Sequence, residues 1–418
     1  MKVLIVNTTD RGGGAAIAAR RLGDALSRVG AEVTTLVLDK YGDDSRTFAV
    51  APHWKGRLAF LFERLMIWIE NGFSRKNLFK VSTAATGFDI TATAAFREAD
   101  IVHLHWVNQG LLSLRSIDRI FRSGKPVVWT MHDMWECTSI CHHAYGCDRF
   151  KSACHDCGFL RYPSRHDLSV RVFRRKMEVF RPASVTWVAV SRWLARQARE
   201  SALLAGKRVE VIPNTLSLSQ FELLDRVESR KQLSLPLDKH IVLFGAVRVD
   251  DPIKGFPLLM EALRLLLDRE EYRGRIHLVF FGRVKNPQEV YPRIPVSYTD
   301  VGWVDNPRQM SRLYSAADVV VSASYYETFG QTLAEAQACG CLPVSFGNSG
   351  QADIIRHGET GYLVPEHTAG SLAEGIARAL ESGGNISRER LRAEALSRYS
   401  EEAIARQYQQ VYSELLSK

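Results

Sequence analysis

Long apolar runs are what this 418-residue sequence lacks. Its most hydrophobic window, residues 58–69, is twelve residues long and is interrupted by Glu63 and Arg64, whereas a membrane-spanning helix needs about 20 apolar residues. The apolar run from Val3 to Val6 is too short for the core of a signal peptide and is typical of a buried strand. We therefore expect a soluble, cytoplasmic protein without a transmembrane helix.

Strong compositional bias is also absent, since 46% hydrophobic and 24% charged residues are ordinary globular values. A chain of 418 residues exceeds what one hydrophobic core usually organises, so we expect two domains. The formal net charge of +9 favours anionic partners, namely phosphorylated substrates, acidic membranes or nucleic acid. Because the basic residues form no recognised motif that reads nucleic acid, we expect no nucleic-acid partner.

Short apolar runs, each followed by a polar loop and a helical pattern, recur along the chain and are typical of a buried parallel sheet. One series has runs near residues 3, 99, 126, 185 and 208, and a second near 240, 276, 317 and 342. The charged interval 216–238 carries no strand pattern. We predict an α/β protein with Rossmann-like domains over residues 1–220 and 237–395, a cysteine-rich insert at about 134–165, and a helix over 396–418 that packs back on the first domain.

Two cations follow the first strand of the second series, in the segment GAVRVDDPIKG. Arg248 and Lys254 would stand at the carboxyl end of that strand, where ligands bind in open α/β sheets. A guanidinium and an ammonium so placed suit a diphosphate. A pair of solvated surface charges is the alternative interpretation.

Two acids, Glu327 and Glu335, stand eight residues apart in the segment SYYETFGQTLAEAQACG. If a helix begins near Gln331, its N-terminal amides favour an anion, and Gly330 lets a phosphate or sugar approach the backbone. The two carboxylates can each hold vicinal hydroxyls, one set on a hexose and one on a ribose. A helix N-terminus with two favourable acids near it is the alternative.

The run from Gly245 to Pro365 resembles the donor-binding domain of family-4 retaining glycosyltransferases, which have the GT-B fold of two Rossmann-like domains facing each other across a cleft. The likeness covers the basic loop, the Glu-x7-Glu pair and the glycine-punctuated segments FGNSGQADII and HGETGYLV. VIPNT at 211–215 is similar to the end of the first domain in that family, although Thr215 stands where the family usually has glycine.

The resemblance implies a role for each matched residue. Arg248 and Lys254 would neutralise the donor diphosphate, Glu327 would contact the hydroxyls of the donor sugar, and Glu335 those of the nucleotide ribose. Sugar and phosphate oxygens would be bound by the backbone amides of Phe329, Gly330 and Thr332. Since we see no clear Asp-x-Asp at a strand end to hold Mg²⁺, we expect no cofactor to be required for catalysis.

The first series carries two further candidates. Gly13 and Gly14 lie between the first strand and a helical pattern, where glycines allow close approach to an anion. The resemblance places this loop at the donor phosphate and the acceptor, while a dinucleotide site or a simple turn are the alternatives.

His132 follows the strand PVVWTM, and its stretch HDMW is similar to that of family-4 enzymes that build bacterial surface polysaccharides. We take His132 and Glu327 as the candidate catalytic residues, with a structural histidine as the alternative for His132.

Four of the seven cysteines fall within seventeen residues, at Cys141, Cys147, Cys154 and Cys157. Only the last two have the two-residue gap expected of a zinc knuckle, and a cytosolic protein would not normally join them as disulfides. A structural zinc site and buried, unligated thiols are both open interpretations.

Aromatic and basic residues are mixed over residues 54–80, as in helices that lie in a membrane interface. An enzyme acting on polyprenyl-linked saccharides needs to approach an anionic membrane. Core helices with solvated basic edges are the alternative. The cations of this segment are Lys55, Arg57, Arg64, Arg75, Lys76 and Lys80.

These observations together predict a retaining transferase of polysaccharide biosynthesis. It would move a hexose-type sugar from a nucleoside-diphosphate donor to a saccharide or polyprenyl-linked acceptor, at the inner face of the cytoplasmic membrane. One alternative is a sugar phosphorylase or sugar-phosphate synthase of the same fold, which would need a phosphate site. Another is a non-catalytic nucleotide-sugar-binding scaffold, which would tolerate loss of the carboxylates and cations that are all present here.

Overall fold

The chain forms two compact units in a computed structural model that describes residues 1–217, 220–382 and 385–417. Unit 1 consists of Met1–Pro213 together with Ile404–Lys418, and unit 2 of Asn214–Ala403. The chain therefore passes into unit 2 just before the charged interval 216–238, of which residues 218 and 219 lie outside the described residues.

Unit 1 is built on a seven-stranded parallel sheet of order β3-β2-β1-β4-β5-β6-β7. Its strands are β1 (Lys2–Thr9), β2 (Glu32–Asp39), β3 (Thr47–Ala49), β4 (Ile101–Leu104), β5 (Val127–Met131), β6 (Val185–Ala189) and β7 (Val209–Val211). Its first six helices are α1 (Gly14–Arg28), α2 (His53–Glu70), α3 (Ala94–Glu98), α4 (Leu114–Phe121), α5 (Leu168–Phe180) and α6 (Arg192–Glu200).

The centre of this sheet is covered on both faces, which is why its strands are apolar without alternation. Every residue of β4, β5 and β6 is buried. Trp129 of β5 stacks on Trp187 of β6 with ring centroids 5.2 Å apart.

Unit 2 is built on a six-stranded parallel sheet of order β10-β9-β8-β11-β12-β13. Its strands are β8 (His240–Arg248), β9 (Ile276–Arg283), β10 (Ser297–Asp300), β11 (Val319–Ser322), β12 (Leu342–Phe346) and β13 (Tyr362–Val364). Its helices are α7 (Arg226–Gln232), α8 (Phe256–Leu267), α9 (Pro287–Val290), α10 (Pro307–Ala316), α11 (Gln331–Ala338), α12 (Ala369–Glu381) and α13 (Arg388–Tyr399). The predicted α/β class and the two parallel sheets are confirmed.

The final helix, α14 (Glu401–Leu416), contributes its apolar side to the core of unit 1. Ile404, Tyr408 and Tyr412 are buried in one cluster with β1. The Tyr412 hydroxyl lies 2.6 Å from Nδ1 of His103 on β4, and the Tyr408 hydroxyl lies 2.8 Å from Oγ1 of Thr130 on β5.

Across the described parts of the chain, every helix is too short or too polar to cross a bilayer.

Candidate active site

The donor-site residues predicted in unit 2 follow two adjacent strands, β8 and β11, and the glycine segment FGNSGQADII follows the next strand of the sheet, β12. β8 lies beside β11, and β11 lies beside β12. Because all three run in parallel, their carboxyl ends meet at one edge of the sheet, where α/β proteins bind ligands. Arg248 ends β8, Glu327 follows β11, and Ser349 follows β12.

Lys254 and Glu327 form an ion pair at this edge. The Nζ atom of Lys254 lies 2.6 Å from Oε1 of Glu327, and the Ser324 hydroxyl donates to the same oxygen at 2.8 Å. The two side chains are 29% and 22% exposed, so a ligand can reach both. Because the two residues are 73 positions apart in the chain, the sequence alone does not indicate this contact.

Gly255 explains how the loop comes close enough for this contact. It has a φ of 68° and caps α8 in the left-handed conformation. A Cβ atom at this position would lie 2.0 Å from the carbonyl oxygen of Ala323, so a larger residue would push the Lys254 loop away from β11.

Arg248 is already surrounded by acids. Its Nη2 atom lies 3.0 Å from Oδ2 of Asp251, and its Nε atom lies 3.6 Å from Oδ1 of Asp250. Both aspartates stand in the segment GAVRVDDPIKG, and nothing in their spacing marks them as partners of Arg248. The guanidinium is 42% exposed, and a bound diphosphate would compete with Asp251 for it.

The carboxylate loop is held from the neighbouring loop after β12. The backbone N–H of Glu327 donates to Oγ of Ser349 at 3.1 Å, and the N–H of Gly350 donates to the carbonyl of Glu327 at 2.8 Å. A Cβ on Gly350 would lie 2.0 Å from the carbonyl oxygen of Thr328. Gly350, the second glycine of the segment FGNSGQADII, therefore allows this close packing.

α11 begins at Gln331, where the pattern predicts it, and Gly330 precedes it with a φ of 102°. Glu335 is only 7% exposed and accepts a hydrogen bond from the Tyr314 hydroxyl at 3.1 Å. Phe329 is buried with its ring edge-on to Tyr399 at 5.5 Å. Of the predicted donor residues in this loop, Glu327 is thus more open to a ligand than Glu335.

The glycine loop of unit 1 needs its glycines for backbone conformation. Gly12 and Gly13 have φ values of 80° and 81°, and nothing lies within 4 Å of a Cβ added to either. Gly13 precedes α1 without a side-chain cap, and Gly14 begins the helix. The open space beside this helix N-terminus is suited to an anion.

His132 follows β5 and contacts a second histidine that follows β4. Nε2 of His132 lies 2.9 Å from Nδ1 of His105, and the rings stack at 5.2 Å. Burial lowers the pKa of His132 to about 4. At neutral pH the ring is therefore uncharged, suited to accept or donate a hydrogen bond rather than to neutralise a phosphate. The pair HLH at 103–105 was the only sequence signal for this arrangement.

Asp133 is anchored by three donors. It accepts from Nε1 of Trp106 at 2.8 Å, from the backbone N–H of Trp135 at 2.7 Å, and lies 2.7 Å from Nδ1 of His142. Burial would raise the pKa of Asp133, yet the neighbouring His142 holds it down at about 2. This network fixes the backbone next to His132.

The four clustered cysteines line one cavity of about 370 Å³ in unit 1. Burial raises the pKa of Cys141 to about 12 and that of Cys154 to about 11. Among the residues that the structure describes, no three Cys, His, Asp or Glu side chains stand as a ready-made ligand set for a metal ion.

Comparison with known families identifies the architecture. Residues 12–220, half of the chain, match the family model described as Glycosyltransferase Family 4. The chain belongs to glycosyltransferase family 4. Residues 225–398 match a second model, described as Glycosyl transferases group 1, and this range lies within unit 2. The family resemblance drawn from the residues is confirmed.

Two curated relatives illustrate the family at the level of sequence. The chain is 27% identical over 300 residues to the D-inositol 3-phosphate glycosyltransferase of Acidothermus cellulolyticus, covering 68% of this chain and 60% of the relative. It is 25% identical over 333 residues to the enzyme of the same name from Thermobispora bispora, covering 76% of this chain and 71% of the relative. The chain thus spans less than two thirds of the first relative's length.

Solved structures share the fold along the whole chain. Sucrose-phosphate synthase from Thermosynechococcus elongatus has a TM-score of 0.69 at 20% identity, covering 100% of this chain and 99% of that one. Anabaena HepE in complex with UDP-glucose has a TM-score of 0.62 at 17% identity, covering 99% and 100%. The predicted GT-B class of this family-4 chain is confirmed, and identities this low speak for the fold alone.

Proposed function

We propose that this family-4 chain transfers a hexose-type sugar from a nucleoside-diphosphate donor to a saccharide or polyprenyl-linked acceptor, with retention of the anomeric configuration. The observation that carries the proposal is the partly exposed Lys254–Glu327 pair, which lies with Arg248 at the carboxyl edge of a Rossmann-like sheet. Two fold neighbours support a nucleotide-sugar donor, since HepE was solved with UDP-glucose and Arabidopsis thaliana starch synthase IV with ADP.

In this proposal the ion pair is shared with the donor. The ammonium of Lys254 would turn to a diphosphate oxygen, and the carboxylate of Glu327, still held by Ser324, would accept hydroxyls of the sugar. Arg248 would exchange Asp251 for the diphosphate. Both cations would then stabilise the negative charge that grows on the leaving group.

The bond between the anomeric carbon and the diphosphate oxygen would break while the acceptor oxygen attacks from the same face. The acceptor proton would pass to the departing diphosphate, which acts as the base. Because protein cations take the place of a divalent ion in this scheme, the chemistry needs no metal.

The matching prediction concerns EDTA and Arg248. Donor consumption by the purified protein, measured with a panel of nucleotide sugars, should survive EDTA. Arg248→Ala should weaken binding of the free nucleoside diphosphate about 10- to 100-fold, because a charge-assisted hydrogen bond contributes about 1.5–3 kcal/mol. Isothermal titration measures this affinity, and Arg264→Ala on the exposed side of α8 is the control.

Strict dependence of transfer on Mg²⁺ would contradict the role of the two cations. Inorganic phosphate or a sugar phosphate replacing the saccharide as the preferred acceptor would instead identify the phosphorylase or sugar-phosphate synthase alternative. Donor binding without any consumption would identify a binding scaffold.

We further propose that unit 1 contacts an anionic membrane through α2 and the residues that follow it. The helix buries only Gly56, Glu63, Arg64 and Ile67, two of which are charged. Its opposite side is apolar and exposed, and soluble surfaces rarely present so many apolar side chains together. The exposed apolar residues, each 38–64% accessible, are Trp54, Leu58, Leu61, Phe62, Leu65, Met66, Ile69, Phe73 and Phe79.

Positive charge around this apolar face favours its binding to anionic lipid. Arg64, expected among the surface cations, is instead buried, where it pairs with Glu63 at 2.9 Å and donates to the carbonyls of Leu78 and Val81. The other five cations are exposed: Lys55, Arg57, Arg75, Lys76 and Lys80. An open groove of about 790 Å³ beside Leu58 and Phe62 adds apolar surface next to them.

Binding to vesicles tests the membrane proposal. The protein should co-sediment with vesicles containing anionic lipid, and binding should fall steeply as salt rises because charge attraction is screened. Changing Arg75, Lys76 and Lys80 to Glu should weaken binding at least 100-fold, since each basic residue contributes about 1 kcal/mol. Transfer to a soluble acceptor should be unchanged.

The matched control changes three exposed cations of unit 2, Arg264, Lys285 and Arg293, to Glu, which alters the net charge equally. This control should keep its vesicle binding. Equal sedimentation with neutral and anionic vesicles, or none at low salt, would contradict the electrostatic contact.

A further inference from the structure

The cysteine-rich insert of unit 1 is long and has almost no regular structure of its own. Between residues 134 and 165 the described elements include one short 3₁₀ turn, Arg149–Lys151. Loops of this length inside a compact domain are uncommon, because their order has to come from something other than secondary structure. The insert is nevertheless compact around one cavity of about 370 Å³.

The walls of that cavity bring together thiols that are distant in sequence. Cys141, Cys147, Cys154 and Cys157 all line it. The three other cysteines, Cys137, Cys339 and Cys341, are fully buried elsewhere, as expected of packing residues. Four thiols around one space are the ligand set of a structural zinc site.

The segment Cys154–Phe159 turns sharply between its two cysteines. Asp156 has a φ of 45°, in the left-handed region, and the cysteines on either side of it both line the cavity. The backbone N–H of Leu160 donates to the carbonyl of Cys157 at 3.0 Å, which closes a turn directly after the second cysteine.

A buried lysine lies beside the cavity. Lys176 of α5 is fully buried, donates to the carbonyls of Trp135 and Thr138, and lies 3.2 Å from the centroid of the Trp135 ring. Thr138, one of the two residues whose carbonyls it binds, lines the same cavity as the four thiols. Zinc bound by four thiolates carries a net charge of −2, so an ammonium at this place would offset part of it.

We propose that Cys141, Cys147, Cys154 and Cys157 bind one zinc ion, which fastens the insert to unit 1 beside the His132 loop. Four S–H bonds give up their protons to solvent and four Zn–S bonds form, with no change in oxidation state. The thiols, which line the cavity without closing it, would move inward to Zn–S distances of about 2.3 Å.

Metal analysis of the purified protein tests this proposal without any transfer assay. We expect about one zinc per chain in the wild type and its loss in the Cys154→Ser, Cys157→Ser double variant. Two matched controls should keep the metal. Cys137→Ala removes a buried thiol outside the cavity, and His155→Asn removes the one histidine among the residues that line it.

Cobalt gives a second measurement if the double variant fails to fold. Wild-type protein exchanged with Co²⁺ should show the visible absorption of a tetrahedral site together with thiolate-to-cobalt charge transfer. Loss of zinc in His155→Asn would overturn the four-thiolate assignment. A folded wild-type protein that contains no zinc and takes up neither Zn²⁺ nor Co²⁺ would overturn the site altogether.

Discussion

Replacing Glu327 with Ala should lower the turnover of sugar transfer by about 100- to 1000-fold, the usual effect of removing a group that stabilises the transition state. The affinity for free nucleoside diphosphate should not fall, because Glu327 pairs with Lys254 and its removal frees that ammonium for the diphosphate. Steady-state kinetics and titration calorimetry separate the two effects. The exposed Glu359→Ala variant is the control for loss of an acid at the surface.

Glu335→Ala should change donor affinity more than turnover. It should mainly weaken donor binding, because the resemblance assigns its carboxylate to the ribose. Tyr314→Phe keeps the carboxylate but removes the hydroxyl that donates to it at 3.1 Å, so it separates orientation of Glu335 from its presence. Wild-type transfer rates in both Glu327→Ala and Glu335→Ala would contradict the donor-site assignment.

The free energy of unfolding of unit 1 should fall as the pH drops below about 6.5, a pH at which most carboxylates are still ionised. Burial lowers the pKa of His103 to about 3, that of His132 to about 4, and that of His105 well below its ordinary value. In the unfolded chain each imidazole takes up a proton near pH 6.5. Unfolding therefore consumes protons, and the stability present above pH 6.5 is lost as the pH falls.

One buried acid works in the opposite direction. Burial and the nearby Asp133 raise the pKa of Glu136 well above its ordinary value, so unfolding releases its proton. The net uptake of two protons gives a loss of about 2.7 kcal/mol per pH unit. Because each unfolded imidazole is only half protonated at pH 6.5, the free energy of unfolding should fall by about 3 kcal/mol between pH 6.5 and pH 5, a large part of the 5–15 kcal/mol typical of a domain.

Urea unfolding at pH 7, 6 and 5, followed by tryptophan fluorescence, measures this loss. Seven of the eight tryptophans lie in unit 1, so the signal reports mainly on that unit. His103→Gln removes one of the protons taken up on unfolding, so it should reduce the slope of the free energy of unfolding against pH by about 1.4 kcal/mol per pH unit. The exposed His166→Gln variant should leave this slope unchanged. A free energy of unfolding that stays constant from pH 7 to pH 5 would refute this account of the histidines.

The central strands were predictable because their signal is local. Runs such as VVWTM and VTWVA are five consecutive, mostly apolar residues, the pattern of a strand that is covered on both faces, and every one of these residues is buried. Three of the four edge strands, β3, β10 and β13, are only three or four residues long and at least partly exposed, so no such run marks them. The fourth, β7, is equally short but is marked by the run near residue 208. The start of α11 was predictable for the same local reason, since Gly330 and a good helix-forming sequence meet there.

Contacts between distant residues could not be predicted. The pairing of Lys254 with Glu327 depends on Gly255 packing against Ala323, which only the adjacency of β8 and β11 brings about. Similarly, nothing local distinguishes Arg64, which is buried with Glu63, from the exposed cations around it. Sequence pattern indicated which residue types were present, and the topology decided which of them face a ligand.

The return of α14 to unit 1 has a consequence for protein synthesis. The residues that cover His103 and β1, among them Tyr412, are translated after all 190 residues of unit 2. At about 5–20 residues per second, the ribosome needs about 10–40 s to make that intervening segment. Unit 2 can therefore complete its core on the ribosome while the sheet of unit 1 still lacks its last helix. During that interval the nascent chain presents an uncovered apolar surface to chaperones.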